Sequence, residues 1–271
     1  MEKYLFAAME AALAAGRAIL EVYDSDFEVE HKADDSPLTL ADRRAHEIID
    51  SGLEGFGLPM LSEEGRNIPY SERREWTTFW LVDPLDGTKE FVKRNGEFTV
   101  NIALVRERRP VLGVIYVPVQ DKLFWGTDET GAWRVDGAAE AGLAAHLRAE
   151  DMTGVLAGAV KLPCAAQRPE IYTIIGSRSH KGPDLDAFIE EMRRRHGAVD
   201  YISAGSSLKI CRVAEGAAHI YPRLGPTMEW DTGAGQAIAE SAGAAVFQYG
   251  SREPLLYNKE NLLNPWFVVH R

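Results

Sequence analysis

Along residues 2–23, Leu5, Met9, Ala12, Leu13, Ile19, Leu20 and Tyr23 recur at helical spacing, with Glu2, Lys3, Glu10, Arg17 and Glu21 between them. The pattern predicts an amphipathic first helix. Residues 31–37 are polar and turn-rich, which predicts a mobile loop. Thr39 then opens a second helix whose Leu40, Ala45, Ile48, Ile49 and Leu53 face inward. Residues 59–65 read as a short strand entering a turn. The unbroken apolar run 79–82 is the pattern of a strand buried on both faces, and it stops at the Asp83-Pro84 step. After a short polar segment at 89–96, runs at 98–105, 111–117, 122–126 and 132–135 read as an antiparallel meander.

Residues 137–151, rich in Ala and Gly with scattered charge, are the best candidate for a lobe boundary, dividing 1–136 from 152–271 within a single domain. Beyond it, apolar runs at 171–176, 199–203, 219–222, 244–248 and 266–270 alternate with helical patterns at 184–196, 205–214 and 230–241. The second lobe is therefore α/β in character.

Composition narrows the classes. With 271 residues, 45% of them apolar and 26% charged, the chain has the make-up of a soluble globular protein with a full core. Its net charge of −11 argues against a nucleic-acid polymer as partner, and a phosphate-handling site in such a chain needs cations to offset repulsion. No stretch has the length of a transmembrane segment, and Met1-Glu2-Lys3 lacks the basic-then-apolar profile of a signal peptide, so a cytoplasmic protein is expected. Cys164 and Cys211 are too few and too isolated for a disulfide framework or a zinc site. Oligomeric state is left open.

The chemistry concentrates where the central run ends. Asp83-Pro84-Leu85-Asp86-Gly87-Thr88 delivers two carboxylates into a turn that Pro84 stiffens, freeing the Leu85 carbonyl to face inward. Gly87 permits close backbone approach to an anion, and Thr88 adds a hydroxyl. Mg2+ beside phosphate is the natural reading, although the hexapeptide alone equally fits an ordinary turn. A covalent aspartyl phosphatase would carry its second aspartate two residues after the first. Here the two are three apart, which favours ligands over a nucleophile. Asp42, in the first turn of the second helix, is by itself a dipole-complementing acid, and Glu64 by itself is solvated charge.

Taken in order, Glu63-Glu64, then Asp83 to Thr88, then Trp230-Asp231 with Ala234-Gly235 make a pattern that resembles the inositol monophosphatase superfamily of Mg2+-dependent, lithium-sensitive phosphomonoesterases. The segments 35–42, 86–91, 176–180, 205–209 and 221–227 look like its 3'(2'),5'-bisphosphate nucleotidase branch, in particular Lys89-Glu90-Phe91, where inositol-directed relatives have Thr-Asn-Phe.

The resemblance implies a layered αβαβα, sugar-phosphatase-like fold of the α/β (α+β) class, with a metal site in the cleft between two lobes. It implies that Glu63, Asp83, the Leu85 carbonyl, Asp86 and Asp231 ligate two or three Mg2+ ions. Asp42 and Thr88 would orient or deprotonate the attacking water, with Glu63 assisting. Gly87, Thr88, Lys89, Ser177, Arg178, His180, Ser206, Lys209 and Arg223 would bind substrate, Arg as a bidentate and Lys as a point-charge partner of phosphate; Lys181 is a further available cation.

The expected reaction is hydrolysis of the 3'-phosphate of adenosine 3',5'-bisphosphate to AMP and phosphate, linked to sulfate assimilation. A broad inositol or fructose-bisphosphate phosphatase and a non-catalytic nucleotide-binding protein are the alternatives. Two departures stand out. Gly233 replaces the family's usual Ala, at an expected cost to its helix of about 0.5–1 kcal/mol. His219 stands where an acid usually precedes the Tyr-Pro-Arg strand, leaving either lobe packing or a substrate contact in question.

Overall fold

The layering follows from which side chains each face of the central strand presents. In the computed structural model, which describes residues 1–25, 29–31, 37–139, 142–164, 168–178 and 182–271, Trp80 and Val82 pack into one core while Phe79 and Leu81 pack into another. A strand apolar at every position is thus covered on both sides, as the unbroken run predicts.

The strands β1 (Val29–His31) and β2 (Pro37–Thr39) pair with each other, and most of the loop expected at 31–37 lies outside the described residues. A seven-stranded sheet contains β3 (Met60–Ser62), β4 (Thr78–Asp86), β5 (Thr99–Arg106), β6 (Arg109–Val117), β7 (Lys122–Thr127), β8 (Gly131–Asp136) and β9 (Val160–Lys161) in sequence order. β3 runs parallel to β4; the predicted meander β5 to β8 is antiparallel. A five-stranded sheet has the order β11 (Val199–Ala204), β10 (Tyr172–Ser177), β12 (Ile220–Arg223), β14 (Phe267–His270), β13 (Ala245–Gln248).

The helices, in chain order, are α1 (Glu2–Tyr23), α2 (Leu40–Leu53), α3 (Tyr70–Arg73), α4 (Thr88–Val92), α5 (Leu143–Arg148), α6 (Met152–Ala157), α7 (Pro183–His196), α8 (Leu208–Glu215) and α9 (Glu229–Ser241). α1 and α2 cover one face of the first sheet, α8 and α9 lie between the sheets, and α7 backs the second sheet through Phe188 and Met192. The result is an αβαβα stack.

Two details differ from the sequence reading. β4 does not stop at Val82 but continues to Asp86, with a register shift between Asp83 and Asp86. Pro84 has no N–H for the ladder, so pairing lapses there and resumes at Asp86 opposite Thr99. Gly233 is not merely a helix defect: a Cβ there would come within 2.8 Å of Leu81 Cδ2, and one at Gly113 within 2.1 Å of the Ala234 carbonyl oxygen. Bare glycines on both sides let α9 lie directly on the sheet, and this close approach brings its N-terminal turn to the end of β4.

Candidate active site

The end of β3, the irregular end of β4 and the first turn of α9 converge. Ligand-capable oxygens of Glu63, Asp83 and Asp231 all lie within 4.8 Å of one another. Glu63 is exposed, Asp231 half-buried, and Asp83 only 1% exposed. Burial first, and then the charges of Glu63, Asp86, Asp231 and Asp42, push the Asp83 carboxyl well above the usual carboxylate range. Asp231 is raised by burial and by Asp86, with the Met228 N–H acting in the opposite direction. Carboxylates driven together this way call for a compensating cation, and an all-oxygen donor set suits a hard divalent ion.

Asp86 is held from below. The Ser207 N–H donates to its Oδ2 at 2.6 Å, and Asn101 Nδ2 lies 3.5 Å away. The Ser207 hydroxyl sits 2.8 Å from that oxygen and 2.6 Å from the Asp231 carbonyl, while accepting from Asn101 Nδ2 at 3.0 Å. Asn101 is in turn oriented by the Thr99 hydroxyl, which donates to its Oδ1 at 2.9 Å. This buried chain ties β4, β5, α8 and α9 together beneath the acids.

Above them opens a cleft of about 230 Å³. Of the residues singled out from sequence, Glu63, Asp83, Leu85, Asp86, Gly87, Thr88, Lys89, Ser177, Ser206, Lys209, Arg223 and Asp231 border it. The Leu85 side chain belongs to the core, which leaves its main chain to face the cleft. Asp42 does not border the cleft; it is 2% exposed and acts on Asp83 through its charge. Arg178 is also outside the lining, exposed and paired with Glu97 at 2.7 Å, whose other oxygen accepts the Gly205 N–H at 2.8 Å. His180 and Lys181 lie outside the described residues.

Two of the cations that reach the cleft, Lys209 and Arg223, are engaged with main chain. Lys209 Nζ donates to the Ser206 carbonyl at 2.5 Å and lies over the Tyr221 ring. Burial lowers its pKa to about 8, against the opposing pull of Asp86. Arg223 donates to the Pro226 carbonyl at 2.7 Å. His219 is not at the cleft: its Nδ1 accepts the Thr173 N–H at 3.0 Å and its ring stacks on Tyr172, so this departure is a matter of packing.

Sequence reasoning missed Asn101, Thr99 and Glu97, and gave Ser207, though within the matching segment 205–209, no role at the site. Thr99 and Asn101 were findable as polar residues at alternate positions of an otherwise apolar strand. Nothing local distinguishes Glu97 from solvated charge.

The comparisons with known proteins agree with this geometry. The inositol monophosphatase family model matches residues 1–266. The chain is 43% identical over 265 residues to the 3'(2'),5'-bisphosphate nucleotidase CysQ of Escherichia coli K12, and 42% identical over 264 residues to that of Salmonella typhimurium LT2, each match covering 96% of both chains. The crystal structure of CysQ from Bacteroides thetaiotaomicron superposes with a TM-score of 0.89 at 48% identity, covering all of this chain and 97% of that one. With likeness running almost end to end, and with the acidic cluster such metal-dependent phosphatases need, the chain belongs to the inositol monophosphatase family.

Proposed function

We propose that the protein is a Mg2+-dependent 3'(2'),5'-bisphosphate nucleotidase that releases the 3'-phosphate of adenosine 3',5'-bisphosphate as inorganic phosphate, leaving AMP, in the cytoplasm and in the service of sulfate assimilation. The relatives carrying the nucleotidase name support the activity. The observation that carries the reading is that one cleft contains both the Glu63–Asp83–Asp231 cluster and, from α8 and β12, Lys209 and Arg223. A monoester of a neutral polyol needs only the acids and their metal; a second phosphate needs cations of its own.

In this reading Glu63, Asp83, Asp86, Asp231 and the Leu85 carbonyl hold two or three Mg2+ ions, which when bound supply charge beside the phosphoryl oxygens and a more acidic water. Thr88 and Asp42 would together orient the attacking water, with Asp42 as the final acceptor of its proton, as the water oxygen bonds to phosphorus and the ester P–O bond breaks, the departing 3'-oxygen taking a proton from solvent to become a hydroxyl. N–H groups around Gly87 and Thr88 receive phosphoryl oxygens. Lys209 and Arg223, with Lys89, Ser177 and Ser206 beside them, bind the second phosphate. Arg178, His180 and Asp42 are the assignments that rest on resemblance more than on cleft position, and the division into lobes at 137–151 belongs with them.

The test is phosphate release with Mg2+ from adenosine 3',5'-bisphosphate, inositol 1-phosphate and fructose 1,6-bisphosphate in parallel. A kcat/KM highest for the nucleotide supports the assignment. Preference for inositol 1-phosphate would leave the metal site standing and refute the role given to Lys209 and Arg223.

A further inference from the structure

The first turn of α9 carries two acids, and only one of them reaches the cleft. Asp231 faces Glu63 and Asp83, while its Oδ2 accepts the Met228 N–H at 2.9 Å. Glu229, two positions earlier, points away into the protein and is 0% exposed. Its carboxylate accepts the N–H groups of Asn258 at 2.6 Å and Lys259 at 3.0 Å, and the Lys259 ammonium at 2.5 Å.

The segment it grips is itself held from two sides. Arg73 of α3, 2% exposed, donates to Asn258 Oδ1, the Lys259 carbonyl and the Glu260 carbonyl at 2.6–2.9 Å. Asn258 Nδ2 returns a bond to the Arg73 carbonyl at 2.6 Å. Further along, Asn264 Nδ2 donates to the Met228 carbonyl at 2.7 Å, and the Glu229 N–H donates to the Leu262 carbonyl at 3.0 Å. Residues 258–264 thus form a collar around the N-terminus of α9, with Glu229 as its inner anchor.

A buried ion pair is a poor choice if stability alone is at stake, because desolvation of both charges offsets most of the attraction and apolar residues often do as well. What it supplies is directional: three donors, two N–H groups and an ammonium, converge on one carboxylate and admit one orientation of the turn. The bare Gly233 contact with Leu81 lets α9 sit close but gives little grip against sliding or rotation.

We propose that the Glu229–Lys259 pair is a positioning device for the metal site, setting the first turn of α9 so that the Asp231 carboxylate stands where Glu63 and Asp83 can share a cation with it. The proposal rests on the reading of Asp231 as a metal ligand. Glu229 and Lys259 touch neither substrate nor metal; they act through Asp231.

The experiment measures Mn2+ binding to the full chain by the loss of the free-ion electron paramagnetic resonance signal, alongside thermal denaturation, for the native protein, Asp231→Asn, Glu229→Gln, Lys259→Met and Lys259→Arg. Glu229→Gln is expected to weaken Mn2+ binding about tenfold or more, as loss of an outer positioning contact does. Its KM for the nucleotide at saturating metal should stay at the native value. Lys259→Met should weaken Mn2+ in the same direction, and Lys259→Arg, which keeps charge and donors, should restore most of the affinity.

Native Mn2+ affinity in Glu229→Gln and Lys259→Met, with only a lowered melting temperature, would overturn the proposal and leave the collar a packing feature. Should Glu229→Gln not fold, the contrast between Lys259→Met and Lys259→Arg decides. Native affinity in Asp231→Asn would overturn the ligand assignment itself, a separate failure from that of the collar.

Discussion

The acids and the cations of the cleft are built in opposite ways. Asp83, Asp86 and Asp231 sit on β4 and α9 over a buried chain of Thr99, Asn101 and Ser207 that ties β5 and the start of α8 to β4 and α9. Lys209 and Arg223 reach in from α8 and β12, and each donates to a carbonyl three residues away, at Ser206 and Pro226. Burial and neighbouring carboxylates push the Asp83 and Asp231 carboxyls up, a cost imposed by the fold; the cations are only parked. In the proposed reading, chemistry is therefore anchored in the core, whereas substrate choice would rest on side chains that exchange one local partner for a phosphate.

The comparison breaks most visibly if the metal is removed. Chelation with EDTA should lower phosphate release at least about a hundredfold, since the charge and the activated water go with the ions. Added Mg2+ should restore it and raise the melting temperature, because an ion that binds only the folded state stabilises it. Unchanged turnover in EDTA would mean the clustered carboxylates are not ligands.

A smaller effect tests the scaffold under the acids. Ser207→Ala removes a hydroxyl that both Asp86 and the Asp231 carbonyl use, and should raise the Mg2+ concentration for half-maximal activity about tenfold with little change in nucleotide KM. A change confined to KM would move Ser207 to the cation side of the comparison.

The cations should behave the other way. Lys209→Met is expected to raise KM for adenosine 3',5'-bisphosphate several-fold, and about tenfold at most, while sparing kcat, the signature of lost ground-state binding. Lys209 has a lowered pKa, so its charge is present below about pH 8 and lost as pH rises through that value. Native kcat/KM should therefore decline above about pH 8 through this group. The decline should be absent from Lys209→Met; if the variant shows it unchanged, another group titrates.

The smallest expected effect lies outside the cleft. His219 is lowered by burial first and then by Arg168, His270 and His196, and its Nδ1 is committed to accepting the Thr173 N–H. The unfolded chain takes up the proton more readily, so this contribution to stability is full above the ordinary histidine value of 6.5 and is lost as pH falls through the lowered folded value. His219→Asn should flatten the fall in melting temperature on the acid side; an identical pH profile would remove His219 from that account.

Much of this was legible in the chain because the signals were local. The run 79–82 announced a strand covered on both faces, and the periodicity of residues 2–23 matched the helix Glu2–Tyr23. The acids were readable from Asp83 to Thr88 because one turn carries several ligand candidates at once. What stayed hidden depends on contacts between distant segments. Nothing near Gly233 reveals that Leu81 requires a glycine there, nothing near Arg73 or Glu229 reveals that both grip Asn258, 185 residues after Arg73, and nothing near Arg178 reveals its pairing with Glu97. Continuation of β4 past Pro84 was missed for a similar reason: a bulge is settled by the partner strand, here Thr99 opposite Asp86.

The most direct test of the central claim is phosphate release from adenosine 3',5'-bisphosphate by the native chain and Asp83→Asn across a Mg2+ titration, with folding of both confirmed by circular dichroism. Asp83 is the buried member of the cluster, and the account predicts that its amide variant folds but releases no phosphate above background at any Mg2+ concentration. Turnover by Asp83→Asn at the native rate and the native Mg2+ requirement would contradict the claim that these carboxylates hold the ions on which the reaction depends.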